Sequence, residues 1–245
     1  MTRENYRSRD KATRDADTSY ADSLSDVVDA IASNPQSRKP AEQLADDLSG
    51  RYGPFAVKWR SVDPSTEVVI EGEILSDSGD PMGKSVRSFY RDHDGYLVVQ
   101  NDLLLLEPAA RGRGFATAFY DELERYYRRS GVDVITIHAA LQDGGYSWAQ
   151  YGFDWDPRRI AESFTDIHRR IDDLLRSPKV TTADKQLLAE IRGRVDHLDP
   201  GQEWPTPNEL ANLRGDDPEL GRKLMRGSSW YGIYPLSEKG YGYGT

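Results

Sequence analysis

Apolar positions recur with two different periods along the chain, and the change of period predicts where helices give way to strands. Between residues 23 and 34 they recur every three to four positions, the spacing of one helix face, and PAEQLADDL at 40–48 predicts a second short helix. From residue 55 onwards the segments FAVKWRSV, EVVIEGEIL and KSVRSFYRD are rich in β-branched and aromatic residues, and turn residues separate them. We therefore expect two helices followed by an antiparallel meander.

The fourth strand of this meander, residues 96–106, ends in four consecutive leucines. A continuously apolar run predicts a strand that is buried on both faces. Pro108 ends the strand, and apolar residues between 115 and 127 then have helical spacing. Because this helix separates the fourth strand from the next one, SGVDVITIHAAL at 130–141, the two strands are expected to run parallel.

Helical spacing returns beyond Pro157, where two long segments predict a helical hairpin, followed by two short helices and a last strand in SSWYGIYPL. We expect four parts along the chain. These are a disordered N-terminal segment, 1–20; a core, 21–156; a helical extension whose final strand packs on the core, 157–236; and a flexible tail, 237–245.

The composition of the chain argues against several classes of function. The formal net charge is −9, which argues against a nucleic-acid-binding protein because phosphate neutralisation needs a basic surface. The sequence has no cysteine, so disulfides and thiolate metal sites are excluded, and its four scattered histidines, His93, His138, His168 and His197, do not predict a metal site. No apolar run reaches the length of a membrane helix or a signal peptide, and we expect a cytoplasmic protein with no membrane partner.

The stretch LEPAARGRGFAT, residues 106–117, combines the end of an apolar strand, closely spaced glycines and the first turn of a helix. Such a helix start exposes backbone N–H groups at the positive end of the helix dipole, and Arg111 and Arg113 add positive charge in an acidic chain. The stretch lacks the Gly-Lys-Ser/Thr sequence found in the phosphate loop of nucleoside triphosphatases. Its glycines also do not have the spacing of the dinucleotide-binding motif. It therefore predicts an anion site of another kind.

The run from Arg111 to Ala116 resembles the Arg/Gln-x-x-Gly-x-Gly/Ala signature of the GNAT acyltransferase superfamily, and Leu106-x-Pro108 extends the match upstream. The segment from Trp148 to Phe153 is similar to the aromatic-x-x-x-Gly-Phe segment of that family, so the resemblance covers roughly residues 67–156. It implies an α+β fold, with a mixed central sheet, a V-shaped splay between two parallel strands, flanking helices and, in this chain, a C-terminal helical extension.

The resemblance also implies a cofactor, acetyl-CoA or another acyl-CoA. In the family the pyrophosphate binds the backbone amides of this loop, and the pantetheine arm runs between the splayed strands. Here those strands would be the one that ends at Leu106 and the one at Ile135–Ala139. The cofactor-binding residues would be Leu104, Leu105, Leu106, Arg111, Gly112, Arg113, Gly114, Phe115, Ala116 and Thr117.

The catalytic residues are less well matched. The family often has a tyrosine that protonates the departing thiolate four residues before the glycine of its Gly-Phe pair, and this position is Trp148 here. Tyr151 and Tyr146 lie on the same short helix and are the alternative donors, with Tyr151 preferred. Candidates for the base that takes a proton from an amine are Glu107, which we prefer, and also Asp102, Gln100, Glu71, Glu73 and His138.

Two hypotheses of different class remain. The first is an acyl-CoA-dependent N-acyltransferase that transfers the acyl group directly to an amine, carried by a small molecule or a protein. The second is a catalytically silent protein of the same fold that serves as a coenzyme A-binding or partner-binding module with a regulatory, effector or toxin-associated role. The tyrosine position, occupied by Trp148, favours the second, whereas the loop and the order of elements favour the first.

Overall fold

The computed structural model describes residues 23–33, 39–62, 67–196, 204–239 and 241. The predicted disordered segment 1–20, His197 and most of the predicted tail lie outside these residues. The chain divides into two compact units, one formed by 1–134 with 236–239 and the other by 135–235 with 240–245. Each unit has buried apolar side chains of its own.

The first unit is built from two helices, a five-stranded meander and a long helix. Its elements are α1 (Ser23–Ser33), α2 (Lys39–Leu48), β1 (Gly50–Tyr52), β2 (Phe55–Val62), β3 (Val68–Leu75), β4 (Pro81–Arg91), β5 (Leu97–Leu106) and α3 (Phe115–Arg129). Each strand pairs antiparallel with the next one along the chain. The meander and the helices that the hydrophobic pattern predicts in this unit are confirmed.

Every second side chain of β2 points into the core of this unit. Phe55, Val57 and Trp59 are buried on one face of the strand, while the intervening positions are more exposed. Trp59 stacks on Phe119 of α3, with ring centroids 6.1 Å apart. The apolar face of α3 therefore covers the inner face of the meander, as its helical spacing predicts.

A β-bulge interrupts the pairing of β4 with β5. Val86 lies opposite Leu103 and Arg87 opposite Asn101, so that Asp102 is an extra residue on β5. A bulge of this kind bends the strand and increases its twist. The last residues of β5, which lead into the glycine stretch, therefore follow a kink.

The leucines after the bulge are less buried than their apolar run predicts. Leu105 is 38% exposed, and Leu103, Leu104 and Leu106 are half-buried. The expectation of burial on both faces is therefore wrong here, because an apolar sequence specifies a preference for cover but does not supply the groups that provide it.

The second unit combines three strands and five helices among the described residues. Its elements are β6 (Val134–Ala139, whose first residue belongs to the first unit), α4 (Gly144–Tyr151), β7 (Asp154–Trp155), α5 (Ile160–Arg176), α6 (Thr182–Val195), α7 (Pro207–Ala211), α8 (Leu220–Met225) and β8 (Trp230–Pro235). β8 lies between β6 and β7 and pairs antiparallel with β7. The hairpin of long helices is α5 with α6, as predicted.

Two tryptophans lie at the centre of this unit. Trp155 and Trp230 have ring centroids 5.3 Å apart, and each indole N–H donates to a backbone carbonyl, at Pro205 and Gly145 respectively. A Cβ on Gly145 would lie 2.1 Å from Ser228 Oγ, so α4 approaches the segment after α8 more closely than any other residue would allow. This close approach accounts for one of the two adjacent glycines that open α4.

The α+β class that the sequence predicts, a mixed sheet flanked by helices, is confirmed. The splay between the strands that contain Leu106 and Ile135 would involve both units and stays a prediction, as do the predicted domain boundaries. Among the described residues, no helix is both long enough and apolar enough to cross a membrane.

Candidate functional site

The glycine stretch forms a turn that only glycine adopts readily. Pro108–Ala110 make one turn of 3₁₀-helix, after which Gly112 has φ +70° and Gly114, the residue that precedes α3, has φ +77°. A Cβ built on either glycine would meet nothing within 4 Å. The backbone conformation therefore requires glycine here, and the space beside the turn is open.

Consecutive backbone N–H groups of this turn have no partner among the described residues. No carbonyl or side chain of the described residues accepts a hydrogen bond from the N–H groups of residues 112–117. The first N–H with a partner is that of Ala118, which donates to Gly114 O at 3.2 Å. Unpaired N–H groups at the start of a helix carry a partial positive charge, so this turn can bind an anion.

The two arginines of the turn are exposed and are held at its edges. Arg111 Nε donates to Leu106 O at 3.0 Å, which ties the turn to the end of β5. The Arg113 guanidinium lies 5.3 Å from the centroid of the Phe55 ring. No described carboxylate pairs with either arginine, so their charges add to the field of the N–H groups.

The other residues predicted to bind the cofactor continue from this turn in both directions. Phe115 is buried in the core, whereas Ala116 is half-buried and Thr117 is exposed. Leu104, Leu105 and Leu106 pair with Ser85, Lys84 and Gly83 of β4 and leave apolar surface exposed. The predicted set thus forms one continuous stretch with apolar and anion-binding parts, and its role stays a prediction.

Glu107 lies at the end of β5 and is exposed. Its side chain lines an open cavity of about 540 Å³ on the outer face of the meander, together with charged residues of β2, β3 and β4. Those residues are Lys58, Arg60, Glu71, Glu73 and Lys84. Glu71 is paired with Arg60 at 2.6 Å, whereas no described ion pair includes Glu73 or Glu107.

The bulged residue Asp102 is the centre of a small polar network. Its carboxylate accepts hydrogen bonds from Ser88 Oγ and from Gln100 Nε2, both at 2.6 Å. Burial and the negative charge of Asp102 raise the pKa of Glu67 above its usual value. Asp102 on β5 therefore interacts with a second acidic group, Glu67, which precedes β3, and sequence reasoning identified Asp102 but not Glu67.

Arg87 is a buried cation that sequence reasoning missed. It is fully buried, its Nη1 donates to Val86 O at 2.9 Å and to Leu103 O at 3.0 Å, and its guanidinium lies 5.5 Å from the ring centroids of Phe119 and Tyr120. Arg87 thus bonds the two residues that face each other beside the bulge. Its position was detectable, because it alternates with the buried Ser85 and Phe89 and so points inward.

The two candidate proton donors belong to the second unit and have different surroundings on α4. Tyr151 packs among aromatic rings, with centroids 6.0 Å from Phe153 and 5.8 Å from Tyr234. The Tyr146 ring instead lies 5.7 Å from the Arg222 guanidinium of α8. Trp148, at the family's tyrosine position, packs against Phe153 at 4.9 Å. The two tyrosines are therefore not interchangeable, and which of them acts stays a prediction.

His138 lies near the end of β6 and forms a stacked pair. Its ring lies 4.2 Å from that of Tyr231 with an interplanar angle of 11°, and its Nε2 is 3.0 Å from Ser229 Oγ. The Arg159 guanidinium also stacks on Tyr231, at 3.3 Å, and is bonded to Glu162. Burial, followed by the charge of Arg159, lowers the pKa of His138, and Glu162 opposes this shift.

We expect Glu162→Gln to lower the pKa of His138 further, because the variant removes the one negative charge that raises it and leaves Arg159 unneutralised. An NMR titration of the histidine ring signals measures this directly. Glu190→Gln, on the exposed face of α6, is the matched control and should leave His138 unchanged. A pKa for His138 at or above its ordinary value of 6.5 in the parent protein would contradict the lowering expected from burial and the Arg159 charge.

Comparisons with known proteins find partial likenesses. No family model matches the chain, and no curated protein matches it. Among solved structures, Arabidopsis thaliana Naa50 in complex with the bisubstrate analogue CoA-Ac-MVNAL is 15% identical with a TM-score of 0.29, over 34% of this chain and 56% of that one. A tandem GNAT protein from the clavulanic acid biosynthesis pathway is 16% identical with a TM-score of 0.31, over 47% of this chain and 38% of that one.

A putative acetyltransferase from Agrobacterium tumefaciens is 23% identical with a TM-score of 0.27, over 47% of this chain and 74% of that one. The chain thus spans less than two thirds of the Naa50 and tandem proteins. It is similar over a segment to GNAT acetyltransferases. Because these TM-scores are low, the likeness carries no argument about function, and the chemistry of the site is inferred from this chain's own residues.

Proposed function

We propose that this chain is an acyl-CoA-dependent N-acyltransferase, with acetyl-CoA as the preferred donor, that acts on an amine by direct transfer. One observation carries the proposal: the run of backbone N–H groups at 112–117 that have no partner among the described residues, at the start of a 15-residue helix and beside an open space. A pyrophosphate offers enough oxygens to accept hydrogen bonds from several of these groups at once.

The surroundings of the turn favour coenzyme A over a bare phosphate. The partly exposed leucines 104–106 precede the turn directly and offer an apolar surface for a pantetheine arm, while Arg111 and Arg113 offer charge for the phosphates. A ligand that combines an anionic and a largely apolar part suits this stretch. Coenzyme A has both.

The reaction needs two proton transfers, which residues of this chain can supply. The amine nitrogen attacks the thioester carbonyl carbon, the carbon–sulfur bond breaks, the sulfur leaves as a thiolate that takes up a proton, and the nitrogen loses one. Glu107 and Asp102 are the acids of β5 best suited to receive the amine proton, directly or through water. Glu73 and Glu107, which line the open cavity together with Lys58 and Lys84, would be the carboxylates that contact the amine there.

Calorimetry with coenzyme A, pantetheine and inorganic pyrophosphate tests the binding step. We expect coenzyme A to bind most tightly, because it alone presents both the anionic and the apolar part. Thiol release from acetyl-CoA with a panel of amines tests the chemical step. Failure of coenzyme A to bind would overturn the proposal, and tight binding without thiol release for any amine would instead support the catalytically silent module.

For an active enzyme we expect Tyr151→Phe to lower kcat at least about tenfold, since removal of one positioned hydrogen-bond donor commonly costs a hundredfold or more. Affinity for coenzyme A should stay near that of the parent, because the hydroxyl would act on the departing sulfur. Tyr146→Phe is the matched variant on the same helix and is expected to leave kcat unchanged. The reverse pattern of the two variants would show that Tyr146 is the donor.

A further inference from the structure

The first unit contains a second cavity, far from the glycine turn. It is open, has a volume of about 550 Å³ and lies where the C-terminal end of α3 meets α1, β4 and the segment 236–239. Volumes of this size hold small organic ligands. The lining residues that matter for its chemistry are Asp26, Arg91, Arg129, Ser130, Asp133 and Lys239.

Some of these charges are already neutralised within the unit. Arg91 pairs with Asp29 at 2.8 Å, and Lys239 pairs with Asp133 at 2.8 Å. Asp133 also accepts hydrogen bonds from Leu97 N–H and Ser237 Oγ. Because these charged groups already have partners within the protein, they have little capacity left to bind a ligand.

Three polar groups of the lining have no partner among the described residues. No described ion pair or side-chain hydrogen bond includes the exposed carboxylate of Asp26 or the exposed guanidinium of Arg129. The hydroxyl of Ser130 is buried, with the residue 3% exposed, and also lacks a partner. Because the Ser130 hydroxyl oxygen is buried even when the cavity is empty, the unpaired groups that a ligand can reach are the two opposite charges of Asp26 and Arg129.

We propose that this cavity binds a free α-amino acid. Its carboxylate would pair with the Arg129 guanidinium and its ammonium group with the Asp26 carboxylate. The unpaired groups thus match both charges of a zwitterion. A polyphosphate fits poorly, because the lining offers it a single unpaired cation, Arg129, and the exposed Asp26 carboxylate would repel it.

The site is distinct from the proposed coenzyme A site. Arg129 is the last residue of α3, whereas the glycine turn precedes the first one. A helix of this length separates its two ends by about 22 Å, at roughly 1.5 Å per residue. The amino-acid site therefore does not depend on the proposed acyltransferase function.

The test is a thermal-shift screen of the full chain with the free L-amino acids at about 10 mM, followed by calorimetry on the best binder. The matched probes are the carboxamide and the deaminated acid of that amino acid, each of which lacks one charge. We expect the amino acid to bind at least about tenfold more tightly than either probe, because each charge pair should contribute at least that factor. Equal binding of the deaminated acid would overturn the assignment to Asp26.

Variants locate the site. Arg129→Gln and Asp26→Asn should each weaken binding by about tenfold or more. Arg125→Gln, an exposed arginine on the same helix that does not line the cavity, should bind like the parent. The absence of binding by every amino acid, or undiminished binding by both charge variants, would overturn the proposal.

Discussion

Replacing Gly114 by glutamate is expected to weaken coenzyme A binding by about a hundredfold or more, which corresponds to roughly 2.7 kcal/mol. Gly114 has φ +77°, a Cβ there would meet nothing within 4 Å, and the N–H groups around it have no partner among the described residues. A glutamate would strain this backbone conformation and would place a carboxylate where the phosphates are proposed to bind. Isothermal titration calorimetry measures the loss.

Gly95→Glu is the matched control for that experiment. Gly95 has φ +83° in the turn between β4 and β5, and a Cβ there would also meet nothing within 4 Å. The two variants should therefore lose similar amounts of thermal stability, while only Gly114→Glu loses affinity. If both bind coenzyme A as tightly as the parent, the glycine turn is not the phosphate site.

The second large effect is expected on stability. Asp133→Ala should lower the free energy of unfolding by about 2–3 kcal/mol at pH 7, because it leaves the Leu97 N–H buried without an acceptor and releases Ser237 and Lys239. Asp133 is 3% exposed and accepts hydrogen bonds from all three of these residues. Urea denaturation of parent and variant measures the difference, and Asp121→Ala on the exposed face of α3 is the control.

The effect should also depend on pH. Burial alone would raise the pKa of Asp133, but the hydrogen bonds from Lys239, Leu97 and Ser237 outweigh it and hold the pKa below the ordinary 3.8. A carboxyl group with a lowered pKa in the folded state stabilises the fold above its unfolded pKa, and this contribution is lost as the pH falls through the folded value. The difference between parent and variant should therefore be full at pH 5 and above and should shrink below about pH 4. A difference that is constant from pH 7 to pH 3 would contradict the charged role of Asp133.

Local periodicity was sufficient to predict most of the secondary structure. The alternation of apolar and polar residues in β2 and the helical spacing of apolar residues in α3 each specify a face that must be buried. Such patterns can be recognised from a few neighbouring residues. The glycine turn was also predictable, because Gly112 and Gly114 adopt a backbone conformation that other residues avoid.

Features that depend on distant residues were not predictable in this way. The network at Asp133 joins residues 97, 237 and 239, which no local pattern brings together. The exposure of Leu105 and the like-charge interaction of Glu67 with the bulged Asp102 depend on where strands end and shift register, which composition does not specify. The partners of Tyr151 and Tyr146 likewise come from β7, β8 and α8, distant in the chain.

A hydrogen bond at Asp133 also joins the two points at which the chain leaves and re-enters the first unit. The chain leaves the first unit after Val134 and re-enters it at Leu236, whose N–H donates to Asp133 O at 2.8 Å, so the two ends of the intervening stretch are fastened to one residue. Closing a loop of roughly 100 residues costs about 4 kcal/mol of chain entropy, yet doubling its length would add only about 0.6 kcal/mol. The helices between these two points can therefore lengthen, shorten or be exchanged at little entropic cost to the unit that carries the glycine turn, provided that the closure at Asp133 is kept.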